Sequence, residues 1–387
     1  MCSCAQPVRD NLEGETQNTT LRVGAECMEN YLPALIGKKV ALCGNHTSMV
    51  GTTHLVDTLL SQGVYLVKLF SPEHGFRGNA EAGAIVNSSI DTKTNLPIVS
   101  LYGKNKKPTS EQLDGIDVIL FDLQDVGCRF YTYISTLHYV MEAAAENDIE
   151  IVVLDRPNPN AFYVDGPVLD IKFTSFVGMH SVPIVYGMTI GEYAQMINGE
   201  GWLAGAAKCK LLVVKIENYT HNTRYKLPIA PSPNLPTPES IFLYPSLCLF
   251  EGTDISVGRG TKYPFEIFGA PQLTEGDYYF TPEPIKGVSE NPPHKNLACR
   301  GLMLHDYAVK NLDEKGFLNL NFLILAYNSY PDKSKFFNRP SFFDKLAGND
   351  KLRKQIEDGL SEDKIRDSWA VDIKKFMNIR EKYLLYR

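Results

Sequence analysis

The sequence predicts an α/β protein with a Rossmann-like, doubly wound, mostly parallel sheet and a second, smaller C-terminal domain of mixed α+β structure. Short apolar segments alternate with helices of about ten residues, which is typical of βαβ units. The apolar fraction of 44% supports a substantial core. Five prolines within residues 228–238 interrupt the alternation. We therefore expect a flexible leader over residues 1–20, the Rossmann-like domain over residues 21–235 and the smaller domain over residues 236–387.

The predicted strands are short apolar segments that end at polar or glycine residues. They cover residues 38–43, 64–71, 97–102, 117–122, 149–155, 182–185 and 210–215. Helical spacing or a Ser/Thr start predicts helices over residues 27–36, 53–62, 109–113, 135–147 and 189–198. The last of these has a capping box of Thr189 and Glu192. Beyond the prolines, further helices are predicted over residues 317–328, 342–346, 351–358 and 361–383.

Composition excludes several functional classes. The net charge of −6 gives no support for a nucleic-acid or anionic-membrane partner. Eight cysteines without zinc-finger spacing indicate neither a disulfide framework nor a structural zinc site. No apolar run reaches the roughly 20 residues of a membrane helix. The composition therefore indicates a folded globular protein without a sign of a nucleic-acid partner, a zinc site or a membrane helix.

Polar residues follow five of the predicted strands. The carboxyl ends of parallel strands share one edge of a sheet, and ligands bind there. Holding several carboxylates together is costly, which favours a functional role for the set over loop residues that only satisfy backbone groups. The side chains expected on this rim are Asn45, His46, Glu73, His74, Asp122, Gln124, Asp125, Asp155 and Arg156.

Three further groups of residues are candidates. Arg77 follows Glu73 and His74 within five positions, in a loop that Pro72 and the neighbouring glycines separate from its strand. Downstream of Asp125, an arginine is placed to neutralise acids, and two tyrosines either stack on a sugar or pack at a helix entry. Between glycines near residue 255, an arginine is placed to meet a carboxylate. The latter two groups comprise Arg129, Tyr131, Tyr133, Glu251, Ser256 and Arg259.

Missing motifs narrow the chemistry further. No GxGxxG follows the first strand, which argues against a dinucleotide cofactor despite the Rossmann-like alternation. No HxxxH or HxH pair is present, so we expect no metal, and no GxSxG elbow indicates a serine hydrolase. The sequence thus predicts an activity without a cofactor.

Several long motifs resemble the NamZ-type exo-β-N-acetylmuramidases of bacterial peptidoglycan recycling. The resemblance spans residues 21–275 and lies in SPEHGFRG (71–78), FDLQDVG (121–127), RFYTYIST (129–136), LDRPNP (154–159), SPN (232–234) and EGTDISVGRGT (251–261). It implies a Rossmann-like domain, a smaller C-terminal domain and an active site in the cleft between them. It also implies release of N-acetylmuramic acid from the non-reducing end of peptidoglycan glycans. Two positions depart from the family pattern: Tyr186 stands where histidine is frequent, and Ile229-Ala-Pro231 lacks the usual tryptophan.

Glycosidic cleavage needs an acid for the leaving oxygen and a second group at the oxocarbenium-like centre. The resemblance makes Glu73 the catalytic acid. The second role stays open between Asp125, Glu81, Glu251 and the 2-acetamido group of the substrate. Candidates for the lactyl carboxylate of muramic acid are Arg129, Arg156 and Arg259. Candidates for its hydroxyl and acetamide groups are Asn45, His46, His74, Gln124 and Asn234, and further substrate contacts are expected from the remaining residues above.

Two other functions stay open on the sequence alone. One is a non-catalytic lipoprotein that binds peptidoglycan or sugars, and the other is a metal-dependent cell-wall hydrolase. The expected partners are MurNAc-GlcNAc saccharides. A cell-wall substrate predicts an exported protein, periplasmic or lipid-anchored in the envelope. Cys2 or Cys4 is the candidate for a lipid, although a cloning remnant explains this start equally well.

Overall fold

The computed structural model describes residues 20–73, 75–76, 89–312, 314 and 316–387. Twelve strands lie within these ranges. They are β1 (Val40–Gly44), β2 (Met49–Val50), β3 (Thr53–His54), β4 (Leu66–Ser71), β5 (Ser89–Ile90), β6 (Pro97–Ser100), β7 (Val118–Asp122), β8 (Glu150–Leu154), β9 (Lys210–Val214), β10 (Ile267–Ala270), β11 (Tyr278–Phe280) and β12 (Cys299–Met303).

The main sheet has seven strands in the order β5-β6-β4-β1-β7-β8-β9. Every pair in it is parallel except β5 with β6. Counted along the chain, the six parallel strands have the order 3-2-1-4-5-6 of Rossmann folds, which confirms the predicted doubly wound sheet. The order reverses between β1 and β7, whose last residues Gly44 and Asp122 lie side by side. A crevice at this switch point is where such folds bind ligands.

Alternate residues of the strands bury opposite faces of the sheet. Val40 and Leu42 of β1 pack in an apolar cluster with Leu55, on the side of the first long helix. Ala41 and Cys43 point the other way, into a second and larger cluster. Both faces are covered, as parallel sheets require, because each crossover places a helix against one face.

The described residues form thirteen α-helices, joined by several 3₁₀ turns. They are α1 (Leu32–Leu35), α2 (Leu55–Ser61), α3 (Ser110–Leu113), α4 (Tyr133–Glu146), α5 (Ile190–Gly199), α6 (Pro238–Leu247), α7 (His305–Asn311), α8 (Asn321–Ser329), α9 (Lys333–Phe336), α10 (Pro340–Ala347), α11 (Lys351–Glu357), α12 (Glu362–Asp367) and α13 (Ala370–Arg380). None of the helices in the described part of the chain has the length and hydrophobicity needed to cross a bilayer.

The C-terminal part combines a small antiparallel sheet, β10-β12-β11, with the helices from α6 onward. This confirms the predicted mixed α+β structure. Its core is continuous with one face of the main sheet, because Phe121 of β7, Leu346 of α10 and Phe376 of α13 belong to the same buried cluster. The C-terminal helices therefore pack directly on the Rossmann-like part.

The structure corrects three predicted elements. Residues 182–185 do not join the sheet: Pro183 lacks an N–H donor, and Val185 forms isolated bridges with Cys128 and Asp165. The helix predicted over residues 361–383 is divided at Trp369, whose side chain turns into the core. Residues 27–36 form 3₁₀ turns and the short α1 instead of one helix. The capping box of Thr189 and Glu192 at α5 is confirmed.

Candidate functional site

A cleft of about 500 Å³ opens beside the carboxyl ends of the main strands. It lies between the Rossmann-like part and the C-terminal part, since both contribute to its walls. From residues before 180 the lining comprises Glu73, Tyr102, Phe130, Tyr131, Thr132, Tyr133, Phe176 and Val177. From later residues it comprises Ser232, Asn234, Leu235, Tyr244, Glu251, Arg259, Phe265, Val288, Ser289, Asn291, Pro293, Arg339 and Phe342.

Glu73 reaches the cleft because β4 ends at Ser71, where Pro72 removes the next backbone donor. The Thr132 hydroxyl donates to Glu73 Oε2 at 3.2 Å. Burial and then the charge of Glu73 raise the pKa of the Tyr102 phenol, which bonds to the same carboxylate. Tyr102 therefore stays protonated and serves as a second hydroxyl donor. Glu73 is thus a partly buried carboxylate held by two neutral donors.

Glu251 supplies the other carboxylate that the described residues bring to the cleft. It lies in the 3₁₀ helix Cys248–Gly252, which continues α6. Arg259 donates to Glu251 Oε1 through Nε at 2.8 Å and through a terminal nitrogen at 2.7 Å. The side chains of this ion pair are only 19% and 23% exposed, which strengthens their attraction relative to a surface pair.

Two tyrosines form the floor of the cleft. Tyr131 and Tyr133 pack edge to face with ring centroids 4.8 Å apart. The Tyr131 hydroxyl donates to the Pro231 carbonyl at 2.9 Å, and the Tyr133 hydroxyl accepts from Asn45 Nδ2 at 2.8 Å. Burial raises the pKa of both phenols well above the ordinary value. The floor is therefore rigid, aromatic and uncharged.

Asn234 contributes an amide to the wall of the cleft and is only 2% exposed. Its Nδ2 donates to the Val288 carbonyl at 3.0 Å, which sets the orientation of the amide. Its Oδ1 has no hydrogen-bond partner among the residues that the structure describes. A buried amide oxygen left without a donor costs about 1–3 kcal/mol, so Asn234 is held here at some expense to stability.

Asp122 and Arg156 lie on the predicted rim but do not line the cleft. Arg156 Nε donates to Asp122 Oδ1 at 2.5 Å and a terminal nitrogen donates to Oδ2 at 2.8 Å, so the pair is bidentate. Arg156 also donates to the Met49 carbonyl at 3.0 Å. Both side chains are buried and paired with each other at the sheet edge, and the substrate contacts predicted for them stay predictions.

Arg129, another predicted substrate contact, has a side chain that is completely buried. Its guanidinium donates to the carbonyls of Pro167 at 2.8 Å, Val182 at 2.7 Å and Leu346 at 2.8 Å. Burial lowers its pKa to about 9. Arg129 ties the segment after β7 to the end of α10.

Other rim residues stabilise the frame behind the cleft. Asp155 accepts from the hydroxyls of Thr189 at 2.7 Å and Tyr386 at 2.6 Å, so it anchors α5 and the chain end. Asp125 is 2% exposed and accepts from the Gly127 N–H at 2.7 Å and from the Tyr186 hydroxyl. It is not among the residues that line the cleft, and the catalytic role predicted for it stays a prediction.

Four predicted contact residues likewise lie outside the lining. Gln124 donates to the Pro157 carbonyl at 2.7 Å, and His46 Nε2 bonds to the Ala230 carbonyl at 2.9 Å. Ser256 is buried and accepts from the Gly258 N–H at 3.2 Å. Asn45 does not line the cleft but donates a hydrogen bond to Tyr133, which does. The predictions for His74, Arg77 and Glu81 concern positions outside the described residues.

Sequence reasoning missed several lining residues. Tyr102 is the last residue of a predicted strand, so its position at the carboxyl end of that strand could have indicated the site. Thr132 sits between the two tyrosines that were predicted. Arg339 and Phe342 had no such signal, because they follow residue 275, where the motifs end.

One group of possible metal ligands occurs in the described part of the chain, and it lies away from the cleft. It consists of Cys27, Glu29 and Glu217. Arg22 already pairs with Glu29 at 3.0 Å and with Glu217 at 2.8 Å. A cationic partner is therefore present without a metal.

The fold and the cleft define the class of protein. Two carboxylates face one aromatic-lined cleft, an arrangement that glycoside hydrolases use to cleave a sugar linkage. Comparison with known proteins specifies the class. Residues 40–239 match the family model of the N-terminal part of exo-β-N-acetylmuramidase NamZ, and residues 242–386 match that of its C-terminal part. The chain therefore belongs to the NamZ family of exo-β-N-acetylmuramidases, which are glycosidases.

Individual relatives agree with this assignment. The chain is 40% identical over 379 residues to the peptidoglycan β-N-acetylmuramidase NamZ of Bacillus subtilis strain 168, covering 93% of this chain and 89% of that protein. Crystal structures of two DUF1343 family proteins from Bacteroides fragilis NCTC 9343 superpose with TM-scores of 0.88 and 0.79. They are 47% and 31% identical, and each comparison covers 95% of this chain and 99% of the other.

Proposed function

We propose that the protein is an exo-acting glycoside hydrolase that releases N-acetylmuramic acid from the non-reducing end of peptidoglycan fragments, with Glu73 as general acid. The observation that carries the proposal is the position of Glu73 in a cleft that a second carboxylate, Glu251, and several aromatic side chains also line. Membership of the NamZ family supports the reaction, and the Bacillus subtilis relative acts on peptidoglycan.

In the proposed reaction Glu73 protonates the glycosidic oxygen as the bond to the anomeric carbon breaks. Its hydroxyl partners Thr132 and Tyr102 fix the carboxyl group in the cleft and keep it oriented. Glu251 is the other carboxylate of the cleft and faces the positive charge that develops on the sugar ring. The group that stabilises or attacks the anomeric carbon is either Glu251 or the 2-acetamido group of the substrate. The ion pair of Glu251 with Arg259 is consistent with either alternative.

The remaining lining suits a sugar ring. The half-buried rings of Tyr102, Phe176 and Phe342 offer an apolar surface for a pyranose face, above the buried Tyr131 and Tyr133. Asn234 Oδ1 has no partner in the described structure, but the atom is itself buried, so recognition of the sugar rests on stacking against these rings.

The test of the general acid is Glu73→Gln, assayed with a chromogenic N-acetylmuramic acid glycoside. We expect kcat to fall at least about 100-fold, as on removal of a general acid. The control is Glu111→Gln, an exposed carboxylate of α3 outside the cleft. Glu73 is not the acid if the Gln variant turns over near the wild-type rate.

Mass analysis of products from a MurNAc-GlcNAc disaccharide separates the rival functions. Release of free N-acetylmuramic acid in the presence of a chelator supports the glycosidase. Tight binding without product indicates a sugar-binding protein, and loss of activity with chelator indicates a metal-dependent hydrolase. Because the proposed substrate is a cell-wall polymer, we further propose an exported protein, which cell fractionation tests.

A further inference from the structure

A muramic acid residue differs from N-acetylglucosamine by its lactyl group, which carries a carboxylate. If the proposed function holds, the cleft has to recognise an anion that glucosamine lacks. Among the described residues, the cations that line the cleft are Arg259 and Arg339. Arg129 and Arg156 lie elsewhere, as their buried hydrogen bonds show.

The two cations of the cleft differ in how far they are neutralised. Arg259 makes a close ion pair with Glu251 through two nitrogens, at 2.8 and 2.7 Å. A substrate carboxylate at Arg259 would therefore also meet the charge of Glu251. Like charges at such close range repel each other, which makes Arg259 the weaker anion site of the two.

In the described structure, the hydrogen-bond and ring partners of Arg339 are uncharged. Its guanidinium donates to the backbone carbonyl of Glu251, which is a neutral acceptor, and lies 4.9 Å from the centroid of the Phe342 ring. No carboxylate lies within ion-pair distance of Arg339 in the part of the chain that the structure describes. Arg339 is also exposed, so its remaining donors are accessible to a ligand in the cleft.

The backbone fixes this arginine at the edge of the cleft. Arg339 is the N-cap residue of α10, and its N–H donates to the Gly252 carbonyl at 3.2 Å. At the other end of α10, the Leu346 carbonyl accepts from the buried Arg129. With both ends of α10 attached to the frame, the position of Arg339 relative to Glu251 is well defined.

From this arrangement we propose that Arg339 binds the lactyl carboxylate and is the residue that selects N-acetylmuramic acid over N-acetylglucosamine. The inference rests on the proposed function and adds its specificity determinant. A guanidinium without a competing acid forms charge-assisted hydrogen bonds to a carboxylate and gives no comparable contact to a sugar without one.

The test compares two chromogenic glycosides, N-acetylmuramic acid and its lactyl methyl ester, which is neutral. In Arg339→Gln we expect KM for the acid to rise about 10- to 100-fold, the effect of losing a charge-assisted hydrogen bond. KM for the ester should stay within about twofold, and kcat for both should change little. Arg339→Lys should restore part of the affinity for the acid, because it keeps the charge but not the planar fork.

Lys345→Gln is the matched control, since Lys345 is an exposed cation on the same helix and does not line the cleft. It should leave KM for both substrates unchanged. Equal increases of KM for acid and ester in Arg339→Gln would overturn the inference, because a shape effect does not distinguish charge. Loss of the acid preference in Arg259→Gln, with Arg339→Gln unaffected, would overturn it as well.

A different result is expected if the protein is not a glycosidase at all. If wild-type protein releases no sugar from either glycoside, the glycosidase proposal is wrong. Calorimetric titration with free N-acetylmuramic acid and with N-acetylglucosamine then still tests Arg339. Tighter binding of the acid that disappears in Arg339→Gln supports its role, and equal binding by both proteins contradicts it.

Discussion

Asp125 shows how a single buried carboxyl group makes stability depend on pH. It accepts two hydrogen bonds at Oδ2, from Tyr186 and Gly127, and its Oδ1 has no partner among the described residues. Burial raises its pKa to about 6, while the Tyr186 and Gly127 donors oppose that shift. An unfolded chain has a value of about 3.9 for the same group. The native state therefore binds the proton more tightly than the unfolded state.

The consequence is a loss of stability as the pH rises. The contribution of Asp125 is fully present below about pH 4 and disappears as the pH passes about 6, at a cost of roughly 3 kcal/mol. In Asp125→Asn the side chain does not ionise, and its oxygen accepts the same two donors. We expect the stability of this variant relative to wild type to increase between pH 4.5 and pH 7.5.

Urea unfolding at the two pH values measures this difference. Asp155, whose pKa burial raises to about 7, titrates in both proteins and cancels in the comparison. A stability difference that is the same at both pH values would show that Asp125 is not the group that titrates.

At the scale of secondary-structure elements, Gly252 sets how closely α10 approaches the cleft. A Cβ at Gly252 would lie 2.5 Å from Phe343 Cβ and 2.7 Å from the Phe343 backbone nitrogen. The 3₁₀ helix that carries Glu251 therefore touches the first turn of α10 directly. This contact places Arg339 beside Glu251.

Gly252→Ala should displace α10 and with it Arg339. We expect a destabilisation of about 1–3 kcal/mol from overpacking, together with an increase of KM for the acid glycoside. Thermal unfolding and the KM values for acid and ester provide the readouts. Gly37→Ala is the control, because Gly37 has a φ of +74° and open surroundings, so strain lowers stability there without touching the cleft. An unchanged KM for the acid in Gly252→Ala would contradict the positioning role of this contact.

The sequence predicts most of the parallel sheet because its strands are buried on both faces and read as apolar segments. Residues 182–185 have the same composition but contain Pro183, and the structure keeps them out of the sheet. Apolar composition alone does not predict which segments pair with a neighbouring strand. The registers of β1 with β4 and β7 depend on contacts between distant segments.

The candidate site is predictable only in part, for a related reason. A polar strand end predicts Glu73 near the cleft, and the segment after Asp125 predicts Tyr131 and Tyr133 there, but position at a strand end does not distinguish one polar residue from another. Asp122 and Arg156 satisfy each other, which no local pattern reveals because 34 residues separate them. Arg339 precedes α10, 183 residues after Arg156 at the end of the rim set, and reaches the cleft only through tertiary packing.

At the scale of the whole molecule, the last residues of the chain are attached to the β8 and β9 side of the main sheet and to α5. The Tyr386 hydroxyl donates to Asp155 Oδ2 at 2.6 Å and accepts from the Ile216 N–H at 2.9 Å. The backbone N–H groups of Leu385 and Tyr386 donate to the buried Glu192 at 2.7 and 3.3 Å. Two buried carboxyl groups thus depend on the chain end for hydrogen bonds, so N- and C-terminal parts stabilise each other.

Tyr386→Phe should weaken this attachment in a pH-dependent manner. Burial raises the pKa of Asp155 to about 7, and the Tyr386 hydroxyl opposes that shift because it stabilises the ionised form. Without the hydroxyl the folded-state pKa rises further, and ionisation at high pH costs more stability. We expect a loss of about 1–3 kcal/mol at pH 8.5 and a smaller loss at pH 5.5, measured by urea unfolding. Tyr383→Phe is the control, because its hydroxyl donates to the partly exposed Glu200 at 2.7 Å, and equal losses at both pH values in Tyr386→Phe would disprove the link to Asp155.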